Sequence, residues 1–221
     1  MDSIKQSIVR SAIGLAIFAV ITSGLIAATQ TLTKETIEQQ IKKAQSKALL
    51  EIVPVEEHDN ELLEDTFELN PGGLLNLPRE KSAYIARKNQ APVAVILPVI
   101  AENGYSGPIS MIVGVDISGN IKGVRVINHK ETPGLGDKIE IKKSDWITQF
   151  EGTSLTQPLP KQWKVKKDGG NFDQLTGATI TPRAVVSGVN NALMYYHKNK
   201  DRLLQTKSAP QASAEGDANG H

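Results

Sequence analysis

Apolar positions along this chain change spacing from one region to the next, and each spacing predicts a different element. Ser11 to Ala28 contains no charged residue, is rich in Ile, Leu, Ala and Val, and stays uncharged to Leu32. About 20 apolar residues span a bilayer as a helix, so this run predicts a transmembrane helix. A cleaved signal peptide is the rival reading. Its apolar region would be shorter, and Leu25-Ile26-Ala27 puts a large residue where a small one is wanted. From Thr33 to Ile52 the pattern becomes amphipathic. Thr33 is the expected cap, Ile37, Ile41 and Leu49 or Leu50 recur near one face, and Pro54 stops the run. This second helix is expected to continue the first as a stalk.

Asp59 to Pro78 is acidic and then loop-like, broken at Pro71-Gly72-Gly73. Short apolar runs follow at Ala83–Arg87, Val93–Ile100, Ile109–Val115 and Ile121–Ile127. The last two flank Asp116-Ile117-Ser118-Gly119-Asn120, a turn between β-branched runs and therefore a hairpin signal. Alternation within these runs is only partial, which predicts a sheet covered on both faces. Asp137 or Ser144 should start a helix carrying Trp146, Ile147 and Phe150, and Lys161–Val165 reads as a strand holding Trp163. A last helix is expected with Thr181 as N-cap and Pro182 at the first helical position. Val185, Val189 and Ala192 then fall on one face. After Ser208 the chain lacks the apolar residues to order itself. The pattern as a whole predicts an α+β protein in three parts: residues 1–32, a short N-terminus and transmembrane helix; residues 33–206, one domain with a mainly antiparallel sheet flanked by helices; residues 207–221, a disordered tail.

Composition narrows the function classes. A net charge of +1 and 5% aromatic content provide no footprint for nucleic acid. The chain has no Cys, which excludes thiolate metal sites, iron–sulfur clusters and disulfides. Its four histidines (His58, His129, His197, His221) are scattered, so no metal site is expected. Lys5 and Arg10 before the span nearly balance Lys34, Lys42 and Lys43 after it, and charge alone does not set the orientation.

The chemistry lies in Asp173-Gln174-Leu175-Thr176-Gly177-Ala178-Thr179-Ile180-Thr181, a glycine-containing loop that opens the last helix. A helix N-terminus has free N–H donors and the positive end of the dipole, and so suits a phosphate. Taken alone, the stretch also fits an ordinary capped helix. The motif resembles that of the FMN-binding domain family: Asp, two residues, Ser/Thr, Gly, Ala, Thr, one residue, Ser/Thr. In that family the phosphate of FMN esterifies the final hydroxyl, and a flavin transferase installs it from FAD. Carried onto this chain, the modified residue is Thr181.

Two further stretches extend the likeness, His129-Lys130-Glu131-Thr132-Pro133-Gly134-Leu135-Gly136-Asp137 and Gly104-Tyr105-Ser106-Gly107-Pro108-Ile109. With Gly169-Gly170-Asn171-Phe172, they are similar to the RnfG family, which belongs to the Rnf ion-translocating electron-transport complex. The resemblance runs from the anchor to about Tyr196. It implies a single-pass protein of the bacterial inner membrane with its main domain in the periplasm. It also implies electron relay through covalent FMN, no independent turnover and no acid–base residue. The partners implied are the other membrane and redox subunits, the flavin transferase and membrane lipid.

For the site, the resemblance implies that Thr181 anchors the phosphate near Gly177 and Ala178, with Thr179 bracing the loop. Thr176 and Asp173 serve transferase recognition or bond the loop. Glu131, Thr132, Gly134 and Leu135 form a slot for the ring, with Leu135 on its face. Tyr105 stacks on the ring or stands at its rim. His129 and Glu131 bond the ring edge or support the slot from behind. The runner-up is the related NqrC family of the Na⁺-translocating NADH:quinone oxidoreductase. A flavin-binding membrane sensor lacks a signalling domain here, and a hydrolase would need a base in a triad-like arrangement, whereas no His is local to Thr181 and no nucleophile elbow is present.

Overall fold

The computed structural model describes residues 2–205, although some side chains of the first helix lie outside that description. Helix α1 runs unbroken from Asp2 to Leu50. Thr33 does not cap a second helix. Its hydroxyl donates to the Thr29 carbonyl one turn back at 2.8 Å, as any interior threonine of a helix can. The expected stalk is therefore the same helix prolonged. The side chains of Ile37 and Ile41, read as one face, lie outside the described set.

Ala12–Lys34 is long and apolar enough to cross a membrane. Its large side chains face outward: Leu15 is 69% exposed and Val20 72%. The threonine hydroxyls in this stretch are satisfied within the helix. Thr22 donates to the Phe18 carbonyl, Thr29 to Leu25 and Thr31 to Ala27, at 2.8, 2.8 and 2.9 Å. A segment that exposes hydrocarbon and bonds its own hydroxyls meets what the bilayer demands.

From Ala48 on, the described residues form a compact unit separate from those up to Lys47. It is built on five strands: β1 (Thr66–Leu69), β2 (Lys81–Lys88), β3 (Ala91–Ala101), β4 (Ile109–Asp116) and β5 (Ile121–Asn128). They form one antiparallel sheet in chain order. The hairpin between β4 and β5 closes as the sequence predicts. Asp116 Oδ1 accepts the amides of Ser118 and Asn120 at 2.8 and 2.9 Å. Strand β1 lies inside the segment that reads as loop, because four residues with Glu68 at the surface carry too little pattern.

Both faces of the sheet are covered. Val95, Leu97, Val99 and Ala101 of β3 join the core beneath helix α2 (Ile180–Leu203). The alternate residues Ala94 and Ile96 join Leu49, Ile52, Val53, Leu62 and Ile112 on the other face. This division is the period-two geometry of a strand buried on both sides.

The region between β5 and α2 contains short 3₁₀ turns instead of regular elements. One spans Gly136–Ile139. Another spans Asp145–Phe150, with the Ser144 hydroxyl accepting the Trp146 amide at 3.1 Å. The expected strand at Lys161–Val165 is absent. Pro160–Gln162 is a 3₁₀ turn, and only Val165 pairs, in a single bridge to Phe172. Pro160 opens that turn, at a position where its fixed φ suits a helical start and its missing N–H has no partner to lose. The tail from residue 206 on lies outside the described residues.

Candidate functional site

Helix α2 starts two residues earlier than its sequence signals indicate. Ile180 is its first residue and Thr179 occupies the cap position, with no side-chain cap bond. Thr181 is therefore the second helical residue rather than the cap, and Pro182 the third. Proline is tolerated there because first-turn N–H groups have no partner in the helix. Thr181 is fully buried. Its hydroxyl donates to the carboxylate of Glu131, which is 4% exposed.

Glu131 is held from several sides. Its carboxylate accepts the Ser106 amide at 2.9 Å and the Tyr105 amide at 3.3 Å. Its own amide donates to His129 Nδ1 at 3.0 Å, which leaves the imidazole proton on Nε2, 2.8 Å from Glu140 Oε1. His129 thus fixes the backbone of Glu131 and turns its other nitrogen away to Glu140. Of the two roles open to His129, the geometry matches support from behind. Gly104 and Gly136 let these groups meet. A Cβ on Gly104 would lie 2.2 Å from the Gly107 carbonyl oxygen, and one on Gly136 2.9 Å from Glu131 Cβ.

The slot follows from two turns with glycine at the position that needs positive φ. In Thr132-Pro133-Gly134-Leu135, Gly134 has φ +78° and Leu135 donates to the Thr132 carbonyl at 3.2 Å. Proline second and glycine third is the type II pattern. In Leu175-Thr176-Gly177-Ala178, Gly177 has φ +82° and Ala178 donates back to Leu175 at 3.1 Å.

These turns enclose a cavity of about 330 Å³. Its lining brings together Tyr105, Glu131, Thr132, Leu135, Gly177, Ala178, Thr179 and Thr181, all singled out from the sequence, with Gly136 between them. Gly134 and Thr176 stand outside the lining, at the corners of their turns. Ile180 lines the cavity without being a sequence-predicted site residue. It is the unspecified position of the motif, and only its place as first residue of α2 marks it. Tyr105 and Leu135 sit at the mouth, 68% and 42% exposed.

The motif loop is buttressed from behind. Trp146, Phe150, Trp163 and Phe172 form one aromatic cluster, with Phe172 at 4.8 Å from both Phe150 and Trp163. Trp146 Nε1 donates to the Asp173 carbonyl at 2.8 Å, and the Asp173 amide donates to Gln149 at 2.7 Å. The Asp173 side chain points outward and pairs with Lys166. Arg183 forks onto Asp168 at 2.6 and 2.7 Å, tying the first turn of α2 to the Lys166–Asp168 turn. That hydrogen bond, reinforced by the charge of Arg183, holds the Asp168 carboxyl below the usual carboxylate range.

Comparison with known proteins shows the family. The FMN-binding domain family matches residues 104–194, and the RnfG N-terminal region matches residues 1–52. The G-type subunit of the ion-translocating oxidoreductase complex from Shewanella piezotolerans is 44% identical over 96% of this chain and 99% of its own length. This chain belongs to the RnfG family. The Pseudomonas aeruginosa relative of the same name is 45% identical over 93% of this chain and 96% of its own length. One from Vibrio atlanticus is 46% identical over 90% and 95%. Among solved structures, the chain is similar to Shewanella oneidensis NqrC, with 21% identity and a TM-score of 0.46 over 66% of this chain and 74% of that one. The RnfG relatives match over nearly the whole chain, so the anchor and the flavin-type domain form one family unit.

Proposed function

We propose that this chain is the flavoprotein component of an Rnf-type ion-translocating oxidoreductase complex, anchored by α1 and carrying FMN esterified to Thr181. Bound there, FMN supplies one-electron redox chemistry between neighbouring carriers of the complex. The protein's task is to hold and shield it. The observation that carries this reading is the Thr181 hydroxyl at the floor of a cavity whose walls come from the three motif stretches.

The residues present fit the group. Thr179 makes no cap bond, so first-turn amides of α2 lack a side-chain acceptor where a phosphate would sit. Leu135, Ala178 and Ile180 present apolar surface, and Tyr105 adds an aromatic ring at the mouth. A helix end contributes about 0.3–1 kcal/mol at an exposed site, too little to retain a flavin, so a covalent phosphoester is the effective tether. Residues at the corners of the two turns, Gly134 and Thr176, shape the slot without touching the ring. The chain has no turnover of its own in this reading. Its partners are the other membrane and redox subunits, the lipid around Ala12–Lys34, and a flavin transferase that recognises the Asp173–Thr181 loop. The main domain faces the periplasm of a bacterial inner membrane.

The test is to express the full chain with a flavin transferase and run it on a denaturing gel. A fluorescent band that persists in denaturant and disappears in Thr181→Ala supports the reading. A dark wild-type band, with the transferase active on another substrate, overturns it.

A further inference from the structure

Glu131 is a buried carboxylate without a cation. Among the described residues no lysine, arginine or histidine pairs with it. Its negative charge is held only by the amides of Tyr105 and Ser106, and its remaining contact is the Thr181 hydroxyl. Burying a charge is costly unless something compensates it, and two amides are a modest compensation. As a brace between the Gly104–Gly107 loop and α2, the carboxylate accepts on both oxygens, where a glutamine would set its NH2 against a donor. Beyond that brace, the same carboxylate can take a proton from the hydroxyl it touches. A threonine hydroxyl is a poor nucleophile until a base within hydrogen-bond reach removes its proton. Gly136 keeps the approach open, since a Cβ there would stand 3.1 Å from both Thr181 Oγ1 and Glu131 Oε2.

We infer that Glu131 is the general base for flavin attachment to Thr181, so that this chain supplies part of the catalytic machinery for its own modification. The inference rests on the reading of Thr181 as the esterified residue, with a flavin adenine dinucleotide as donor. As the Thr181 O–H bond breaks, its proton passes to Glu131. The Thr181 oxygen bonds to the flavin-side phosphorus. The phosphoanhydride bond breaks, and adenosine monophosphate leaves with the electron pair. The proton then passes from Glu131 to the departing phosphate or to water, and nothing is oxidised or reduced. His129 acts as a positioning residue, because its Nδ1 fixes the backbone from which the carboxylate projects.

The experiment incubates the unmodified full-length chain in detergent with purified transferase and dinucleotide. It follows covalent flavin by in-gel fluorescence and peptide mass. Wild type, Glu131→Gln, Glu131→Asp and Thr181→Ala are compared, with thermal melting of each unlabelled chain recorded in parallel. General-base catalysis is typically worth about 10²–10⁴-fold, so E131Q should label at least about 10²-fold more slowly while melting like T181A. E131D draws the carboxylate back by one methylene and should label at an intermediate rate. If E131Q melts early, E131D carries the test alone: slowed labelling with unchanged melting supports the inference, and labelling at the wild-type rate overturns it. E131Q labelling at the wild-type rate also overturns it, while leaving Thr181 as the attachment residue. An unlabelled wild type removes the underlying reading itself.

Discussion

Ile52 rests directly on Gly114. A Cβ on Gly114 would lie 2.2 Å from Ile52 Cγ2, and the neighbouring position on β5, Gly123, faces Ile52 Cγ1 at 3.5 Å. Gly114 and Gly123 are cross-strand partners, so two adjacent strands each omit a side chain to form one socket. Leu49 and Val53 pack around Ile52 in the same cluster. Gly114→Ala should therefore overpack this face and cost about 1–3 kcal/mol. The fall in melting temperature can be read by scanning fluorimetry of the full chain in detergent. Adding Ile52→Ala to G114A should recover part of the loss, because the two residues share one space. Additive losses in the double variant would show that the socket is not what Gly114 provides.

Gly177 serves the cavity through its backbone. Its φ of +82° suits glycine, and a Cβ there would lie 2.8 Å from Leu135 Cδ2. Leu135 is flexible and can give way, so the backbone dominates: a left-handed conformation costs a non-glycine residue about 1–2 kcal/mol. Gly177→Ala should lower stability by about that much, displace Leu135 from the mouth and slow flavin attachment. Thermal melting and fluorescent labelling of the same preparation check both effects. Gly134→Ala, at φ +78° with no atom within 4 Å of its would-be Cβ, should show the stability cost with a smaller effect on labelling.

Trp146 fixes the motif loop by one hydrogen bond from its indole to the Asp173 carbonyl. Trp146→Phe keeps an aromatic against Phe150 and removes that donor. The expected cost is about 1 kcal/mol, with the carbonyl of Asp173 left to find water. The local signature is faster amide exchange at Asp173–Ala178, measured by hydrogen–deuterium exchange, with β3 and β4 unchanged.

Much of this is legible in the sequence because the relevant patterns are local. The strands around Val95, Val113 and Val124, the Ser118-Gly119-Asn120 turn and the uncharged run before Leu32 each announce themselves within one window. So does the motif ending at Thr181, whose residue types and spacing are specific. The family likeness joins it to Glu131 and Tyr105, far away in the chain. What stays hidden is of two kinds. Elements too short to show a period, such as β1 and the 3₁₀ turns around Trp146 and Trp163, are set by tertiary packing and not by propensity. The start of α2 lies two residues before the point that the strong cap signals of Thr181 and Pro182 mark. The tertiary bond from the Thr181 hydroxyl to Glu131 outweighs the local bond that a cap would make, and no local pattern reveals a partner 50 residues away.

Tyr196 provides a prediction at alkaline pH. It packs under the sheet on α2 at 2% exposure, and its hydroxyl has no hydrogen-bond partner among the described residues. Burial, and secondarily the negative charge of Asp116, push its pKa up to about 12. An unfolded tyrosine titrates near 10. Between those values the folded chain keeps the phenolic proton while the unfolded chain releases it. Rising pH therefore favours unfolding across that window, by roughly 2–3 kcal/mol in total, and the contribution is intact below pH 10. Tyr196→Phe removes the titrating group together with a buried hydroxyl that bonds none of the described residues, so at neutral pH its stability should stay within about 1 kcal/mol of wild type. Lysines lose their protons in the same range in both proteins, which makes the difference between the two the informative quantity. Urea unfolding of wild type and Y196F at neutral pH and again between pH 10 and 12 should show the variant gaining on the wild type as pH rises. Parallel losses in both proteins would mean that the Tyr196 proton is not linked to folding.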